Sequence, residues 1–331
     1  MPLCRVSPDD DSAVAEVARL AEAARRVDDP DGFPVIVESL ANQMRYGWDM
    51  EPADYYLYRP SSDAAPVGFL EVELPKRDNL HLVWVGVTTY PEQRRRGHGS
   101  AMLEEALRLA REAGRNTMWV GVAEDDTGTR AFVEGHGFRY ASHDARRRQV
   151  LSEVDQAEVD RLFAQAQAAA SDYVLERLLP PTDDAVLEEL LEVTAAINDA
   201  PMGDLTFEDE LFDVQRLRDN ELAHALSGDK FYRVIARQRS TGEIGGHTVM
   251  IVNPRRPTVG HQADTSVARS HRGHRLGLLL KIDALRWLAG AEPQLELIET
   301  WNNVDNRYMI DVNEALGYRL NRVFATFERT F

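Results

Sequence analysis

The feature that most limits the fold of this chain is an internal repeat. Gly99 and Gly277 each stand at the start of a predicted helix, and the glycine–aromatic pairs Gly137-Phe138 and Gly317-Tyr318 follow them. The interval from Gly99 to Gly277 is nearly the same as the interval from Gly137 to Gly317. Unrelated glycines would seldom keep both the spacing and the structural context, so the repeat indicates a duplicated domain. The 331 residues exceed one ordinary domain and allow each copy a core of its own.

The two copies share one predicted order of elements. Hydrophobic periodicity predicts a short first strand, two helices, three strands, a helix, a strand, a short helix and a final strand. In the second copy the pattern predicts a helix over residues 207–226 and two strands at the end of the chain. The segment 151–171 is rich in Ala, Gln and acidic residues and predicts a helical connector. We therefore expect an α/β (α+β) chain with domains at 1–150 and 172–331.

Charge and composition exclude several classes of function. The formal net charge of −17 disfavours nucleic acid as a partner and would attract cationic amines, although an acidic surface also serves solubility. Cys4 is the only cysteine, so no intrachain disulfide is possible. The first residues lack a signal-peptide pattern, and no apolar stretch approaches the roughly 20 residues that span a bilayer. We expect a cytoplasmic protein without a membrane partner.

A glycine-containing turn before a helix is the clearest chemical signal. Helix N-termini present unpaired amides and a partial positive charge, and glycine lets a phosphate approach the main chain. An ordinary turn and helix cap is the alternative for such a pattern. The dinucleotide pattern G-x-G-x-x-G and the Walker pattern G-x-x-x-x-G-K-[ST] are both missing from this segment. The predicted phosphate contacts are Arg94, Arg95, Arg96, Gly97, His98, Gly99 and Ser100.

This segment resembles the coenzyme A motif of the GCN5-related N-acetyltransferases (GNAT), [QR]-x-x-G-x-[GA]. Arg94–Gly99 satisfies the motif, and Pro91-Glu92-Gln93 is a typical lead-in. Residues 131–138, AFVEGHGF, are similar to the family's fourth helix and its exit. The resemblance covers nearly all of residues 1–150. It implies two tandem GNAT domains, each a mixed, mostly antiparallel sheet with a splayed strand pair, flanked by helices.

The second copy carries an altered form of the same motif. Arg275 stands where the first motif glycine belongs. The segments HRGHRLGLLLK and ETWNNVDN are similar to tandem acetyltransferases of actinobacterial type. The resemblance implies phosphate contacts here too, and a pantetheine contact for Asn306. The predicted contacts are Arg272, Gly273, His274, Arg275, Leu276, Gly277 and Asn306.

The resemblance also implies the reaction. Splayed strands would offer main-chain groups to the pantetheine arm at Val87 and Thr89 in the first copy, and at Thr265 and Val267 in the second. The donor would be acetyl-CoA, and the acceptor a primary amine of a small molecule or peptide, attacked directly in a ternary complex. The protein would be an acyltransferase of class EC 2.3.1, acting as a monomer or homodimer.

Amine acetylation needs a proton acceptor, and three carboxylates are candidates. Glu299 is the favoured base because it lies in an otherwise apolar run, and Asp264 and Glu71 are the other two. The alternative for each is a solvated or ion-paired residue. The family's usual acid, a tyrosine, is replaced by Val133 and Asn313. The alternative function is therefore an acyl-CoA-binding sensor that has lost most of its activity. No metal is expected, because the histidines lack a completing ligand set.

Overall fold

The computed structural model describes residues 3–331, which form two compact units. The first unit contains the described residues up to Ser142, together with Asp204–Glu208 and Ala325–Phe331. The second unit contains His143–Gly203 and Asp209–Phe324. Each unit therefore includes residues from the other copy of the repeat.

The first unit has the predicted order of elements. Its strands run β1-β2-β3-β4-β5-β12, with antiparallel pairs from β1 to β4 and a parallel β4–β5 pair. Two long strands, β6 and β12, contribute residues to both units. The elements are β1 (Leu3–Arg5), α1 (Asp11–Asp28), α2 (Val37–Tyr46), β2 (Asp54–Tyr58), β3 (Gly68–Glu73), β4 (Leu82–Thr89), α3 (His98–Glu112), β5 (Thr117–Ala123), α4 (Thr127–Gly135), β6 (Arg139–Val150) and, at the end of the chain, β12 (Arg319–Thr330).

The second unit repeats this plan. Its strands run β7-β8-β9-β10-β11-β6, antiparallel except for the parallel β10–β11 pair. Its elements are α5 (Gln156–Ala169), β7 (Tyr173–Leu178), α6 (Asp184–Ala195), α7 (Val214–Ser227), β8 (Lys230–Gln238), β9 (Ile244–Val252), β10 (Val259–Val267), α8 (Leu276–Ala291), β11 (Leu297–Asn303) and α9 (Arg307–Ala315).

Helices cover both faces of each sheet. In the first unit Val17 and Leu20 of α1 pack against Leu57 and Phe69 on one face, while α3 covers the other. In the second unit α6 and α7 cover the face that carries Ile235, and α5 and α8 cover the opposite face. Burial of each such aliphatic side chain contributes about 1.5–3 kcal/mol, so these apolar stripes fix which face each helix takes.

Two sequence predictions in the second copy were wrong. The helix predicted at 207–226 begins at Val214, because residues 204–208 belong to the first unit. There Thr206 donates from its amide to Glu328 at 2.8 Å, and the Glu208 amide donates to Asn79 at 2.7 Å. The two strands predicted at the end of the chain are the single strand β12. Periodicity could not show either result, because both depend on partners distant in sequence.

Candidate functional site

The start of α3 exposes a row of backbone amides. A 3-10 turn at Pro91–Gln93 follows β4 and leads to Gly97, which caps the helix with a left-handed φ of 84°. The first helical bond runs from the Ala101 amide to the Gly97 carbonyl. Four amides therefore have no intrahelical acceptor, those of Gly97, His98, Gly99 and Ser100. These donors and the helix dipole suit a phosphate group.

Arg94 holds this turn in place. Its Nε donates to the Thr89 carbonyl at 3.2 Å, and its Nη1 donates to Asp28 Oδ1 at 2.7 Å. Asp28 lies at the end of α1, and sequence reasoning missed it because 66 residues separate it from Arg94. Arg95 and Arg96 are exposed at the same turn. The positive charge available to a phosphate is therefore greatest at Arg95 and Arg96.

The start of α8 has the same main-chain path. Arg272 Nε donates to the Val267 carbonyl at 3.2 Å, and its guanidinium pairs with Asp199. The helix cap is Arg275, with a left-handed φ of 55° in place of the 84° of Gly97. Left-handed residues stand at matching positions of both turns, Arg95 and Gly97 in one, Gly273 and Arg275 in the other. The replacement of glycine by Arg275 thus preserves the backbone geometry that exposes the amides.

In the first unit the anion site opens into a cleft between two strands. The β4–β5 pairing covers only Leu82–Trp84 against Thr117–Trp119, and the strands then separate. A cavity of about 750 Å³ fills the gap. It is lined by eight of the residues predicted from the sequence, Val87, Thr89, Arg94, Arg95, Gly97, His98, Gly99 and Ser100. Arg96 is missing from its lining.

The second unit has a similar cleft. The β10–β11 pairing ends at Gln262–Thr300, and a cavity of about 480 Å³ lies beyond it. Its lining includes Thr265, Val267, Arg272, Gly273, Arg275, Leu276, Gly277 and Asn306. His274 does not line this cavity. Arg96, at the matching position of the first unit, does not line the cavity of that unit. Asn306 Oδ1 accepts a hydrogen bond from the Met309 amide at 3.2 Å, so its side chain caps α9.

Glu71 lies beside the inner end of the first cavity. It pairs across the sheet with Gly86, which lines the cavity, and a Cβ built on Gly86 would lie 3.3 Å from Glu71 Oε2. Its Oε1 accepts a hydrogen bond from the Tyr55 hydroxyl at 2.6 Å. Burial raises the pKa of Glu71. Desolvation, together with the charge of Glu71, raises the pKa of neighbouring Glu73 to about 7, although the Glu73 side chain reaches solvent.

Asp264 occupies the corresponding place in the second unit. It follows Gly86 by the same interval along the chain that separates Gly277 from Gly99, and it lies in the irregular part of β10 between Gln262 and Thr265. Burial raises the pKa of Asp264, and the nearby Arg233 and Arg216 oppose that change. One carboxylate therefore sits at the same point of each sheet, carried by the third strand in one unit and by the fourth in the other.

Glu299 has different surroundings. Its Oε2 accepts from Arg148 Nε at 2.9 Å and lies 3.8 Å from Arg146 Nε. The side chain is 13% exposed and does not line the cavity of the second unit. Trp301, two residues on, is 41% exposed and packs against Phe324. The structure thus gives Glu299 the environment of an ion-paired strand residue, which the sequence left open as the alternative to a catalytic base.

The histidines of the second unit are separated. His271 Nδ1 lies 2.8 Å from the Tyr173 hydroxyl, and His274 Nδ1 lies 3.3 Å from the Ala169 carbonyl. Among residues 3–331 no three or more His, Cys, Asp or Glu side chains come together as a possible metal site. Over the same residues, every helix is too short or too polar to cross a membrane.

Comparison with known proteins shows which family part of the chain matches and which solved structures share its fold. The model of the acetyltransferase (GNAT) family matches residues 21–138. A tandem GNAT protein from the clavulanic acid biosynthesis pathway, solved without acetyl-CoA, is 25% identical; the match covers 99% of this chain and 98% of that one, with a TM-score of 0.80. Residues 21–138 match the GNAT family, and the whole chain has the fold of a tandem GNAT protein. No curated protein sequence matches it.

Two further solved structures share this fold. One is a GCN5-related N-acetyltransferase from Sphaerobacter thermophilus, with 15% identity, coverage of 99% and 95%, and a TM-score of 0.68. The other is a glucosamine N-acetyltransferase region of a fungal β-N-acetylglucosaminidase, with 15% identity, coverage of 99% and 38%, and a TM-score of 0.71. The match to the GNAT family supports acyl transfer in general, and the fold predicted from the sequence is confirmed.

Proposed function

We propose that this protein transfers an acetyl group from acetyl-CoA to a primary amine of a small molecule or peptide, by direct attack in a ternary complex. The observation that carries this proposal is the continuity of each strand cleft with a helix start whose amides have no intrahelical acceptor. The amides at Gly97–Ser100 and at the start of α8 would hold the diphosphate. The separated strands leave main-chain groups at Val87 and Thr265 to bind the pantetheine arm.

The same reasoning supports a donor site in each half of the chain, residues 1–150 and 172–331, joined by the connector 151–171. The cavities fit the donor because each includes a helix start with unpaired amides and is lined by an exposed arginine, Arg95 in one unit and Arg275 in the other. The net charge of −17 supports a cationic acceptor, which an acidic protein attracts.

We assign proton removal to Asp264 in the second unit and to Glu71 in the first. Each lies beside the cleft, and burial raises the pKa of each carboxyl toward the range in which it can take a proton from an amine. Asp264 is the stronger candidate because, among the described residues, no other side chain donates a hydrogen bond to its carboxylate, whereas Tyr55 donates to Glu71. Glu299, held by Arg146 and Arg148, is the least suitable of the three predicted bases.

A second candidate function is acyl-CoA binding without turnover. One observation favours it: the positions of the family's tyrosine acid hold Val133 and Asn313, 4% and 0% exposed. Asn313 Nδ2 donates to Asn302 Oδ1 at 3.2 Å, and no ionisable group replaces the tyrosine at either position. A leaving thiolate would then take its proton from water.

The experiment is to follow thiol release from acetyl-CoA with a panel of primary amines. We expect turnover by the native protein and a loss of about 100-fold or more in Asp264→Asn, the usual contribution of a general base. Glu299→Gln is the matched control, since it removes a carboxylate of the same unit that is already paired with Arg146 and Arg148. Glu71→Gln reports on the first unit. Tight acetyl-CoA binding without thiol release across the panel would instead establish the binding function.

A further inference from the structure

Two buried polar side chains of the second unit have no hydrogen-bond partner among residues 3–331. They are His247 on β9 and Ser266 on β10, directly opposite each other in the antiparallel pair. His247 is 2% exposed and Ser266 is 4% exposed. Both ring nitrogens of His247 and the Ser266 hydroxyl are without partners. Each buried group left unpaired destabilises the fold by about 1–3 kcal/mol, so the pair lowers the stability of the protein unless a ligand binds there.

The first unit shows what a purely structural residue does at this position. By the interval of the repeat, His247 corresponds to Phe69 and Ser266 corresponds to Thr88. Phe69 and Thr88 are likewise cross-strand partners, and Phe69 packs in the core beneath α1. Replacing that aromatic ring by an imidazole without internal partners lowers the stability of the fold. The second unit therefore gains something from His247 other than packing.

Ser266 connects this pair to the cavity. It lines the cavity together with Ala196, Ile197 and Thr265, so the pair lies on the wall toward the end of α6. Opposite side chains of an antiparallel pair lie about 5 Å apart, which places the His247 ring within reach of a group that contacts Ser266. The polar pair is thus next to the proposed acetyl-transfer site, two residues from Asp264.

The charges around the pair identify the kind of group that fits. Arg233 of β8 lies on the same face and is paired with Glu221 of α7 at 2.6 Å. Arg216 of α7 and Asp264 of β10 also face this region. Burial and Arg233 lower the pKa of His247 to about 3, so the ring is neutral, with one donor and one acceptor nitrogen. An ammonium group only donates, so it would leave the donor nitrogen of His247 unpaired. A hydroxyl group both donates and accepts.

We propose that His247 and Ser266 bind a hydroxyl group of the acceptor, so that the second unit acetylates amino alcohols. The amine would lie beside Asp264 and the hydroxyl between His247 and Ser266. This inference rests on the proposed amine acetylation, and it names the acceptor class of that same site.

The test compares 2-aminoethanol with propylamine, which replaces the hydroxyl by a methyl group. We expect the native protein to have the higher kcat/KM for 2-aminoethanol. In His247→Phe, which restores the residue of the first unit, the ratio of the two kcat/KM values should fall about tenfold, the usual effect of losing a buried hydrogen bond. Ser266→Ala should lower the same ratio. An unchanged ratio in both variants would overturn the inference.

Two further measurements separate this inference from the proposed function. The imidazole ¹⁵N shifts of His247 should change on addition of 2-aminoethanol and not of propylamine, whether or not thiol is released. A change in the His247 shifts without thiol release would support the hydroxyl site and reject acetyl transfer. Thiol release without a change in these shifts would support acetyl transfer and reject the hydroxyl site. His247→Phe should also keep or raise the melting temperature, whereas a histidine needed for packing would give a lower one.

Discussion

Substitution of Gly97 by alanine tests the anion site with a small change. Gly97 has a φ of 84°, and a Cβ at this position would meet no atom within 4 Å. The substitution therefore causes no clash within the protein. The left-handed backbone conformation destabilises an alanine by about 1–2 kcal/mol relative to glycine. Alanine also lowers the conformational entropy of the unfolded chain, which stabilises the folded protein by about 0.4–1 kcal/mol. We expect a net loss of about 1 kcal/mol in the free energy of unfolding.

The effect on coenzyme A binding should be larger than the effect on stability. Gly97 lines the cavity of the first unit, so the new methyl group would occupy open space beside the amides of the α3 start. Displacing a phosphate there removes a charge-assisted hydrogen bond, which contributes about 1.5–3 kcal/mol. The affinity of the first unit should fall about 10- to 100-fold.

Gly114→Ala is the matched control. Gly114 follows the other end of α3 with a φ of 73°, also has no atom within 4 Å of a built Cβ, and does not line the cavity. Both variants should lower the melting temperature of the first unit by about 2–4 °C. Only Gly97→Ala should lower the affinity for coenzyme A in titration calorimetry. Equal affinities in the two variants would refute the assignment of this helix start as the phosphate site.

Three other predictions follow from the same geometry. Arg275→Gly keeps the left-handed cap of α8, so coenzyme A binding by the second unit should weaken by no more than about fivefold, the value of one exposed charge contact; calorimetry showing a larger loss would make the side chain essential. Arg269 and Arg272 lower the pKa of Asp199 to about 2, below an unfolded value of about 4, so the stability from this carboxylate is complete above pH 4 and is lost as the pH falls toward 2. Asp199→Asn should therefore reduce the loss of stability that denaturant titrations show as the pH falls from about 4 to about 2. The stability contributed by Glu71 changes with pH in the opposite direction, because burial raises its pKa and its ionisation therefore destabilises the fold. The native protein should lose stability as the pH rises through that pKa, and Glu71→Gln should remove this loss in denaturant titrations.

Much of the donor site could be predicted from the sequence because its determinants are local. A strand, a proline, a glycine and a helix start lie within about 20 residues, and helix geometry alone leaves the first amides unpaired. The spacing of Gly99 and Gly277 likewise predicts the duplication. The resemblance to the GNAT family, and not the local pattern, placed Val87 and Thr265 beside the clefts that the structure contains.

The remaining features depend on which strands lie side by side. Asp28 and Asp199 hold the motif arginines across long stretches of sequence, and Glu299 meets Arg148 only through the β6–β11 pair. No local pattern shows that residues 204–208 join the first unit, or that His247 faces Ser266 without a partner. The sequence by itself determined the two helix starts with unpaired amides, because backbone geometry follows from neighbouring residues. The tertiary structure decided which carboxylates and polar side chains face each cleft, because sheet register and burial arise only when distant strands pair.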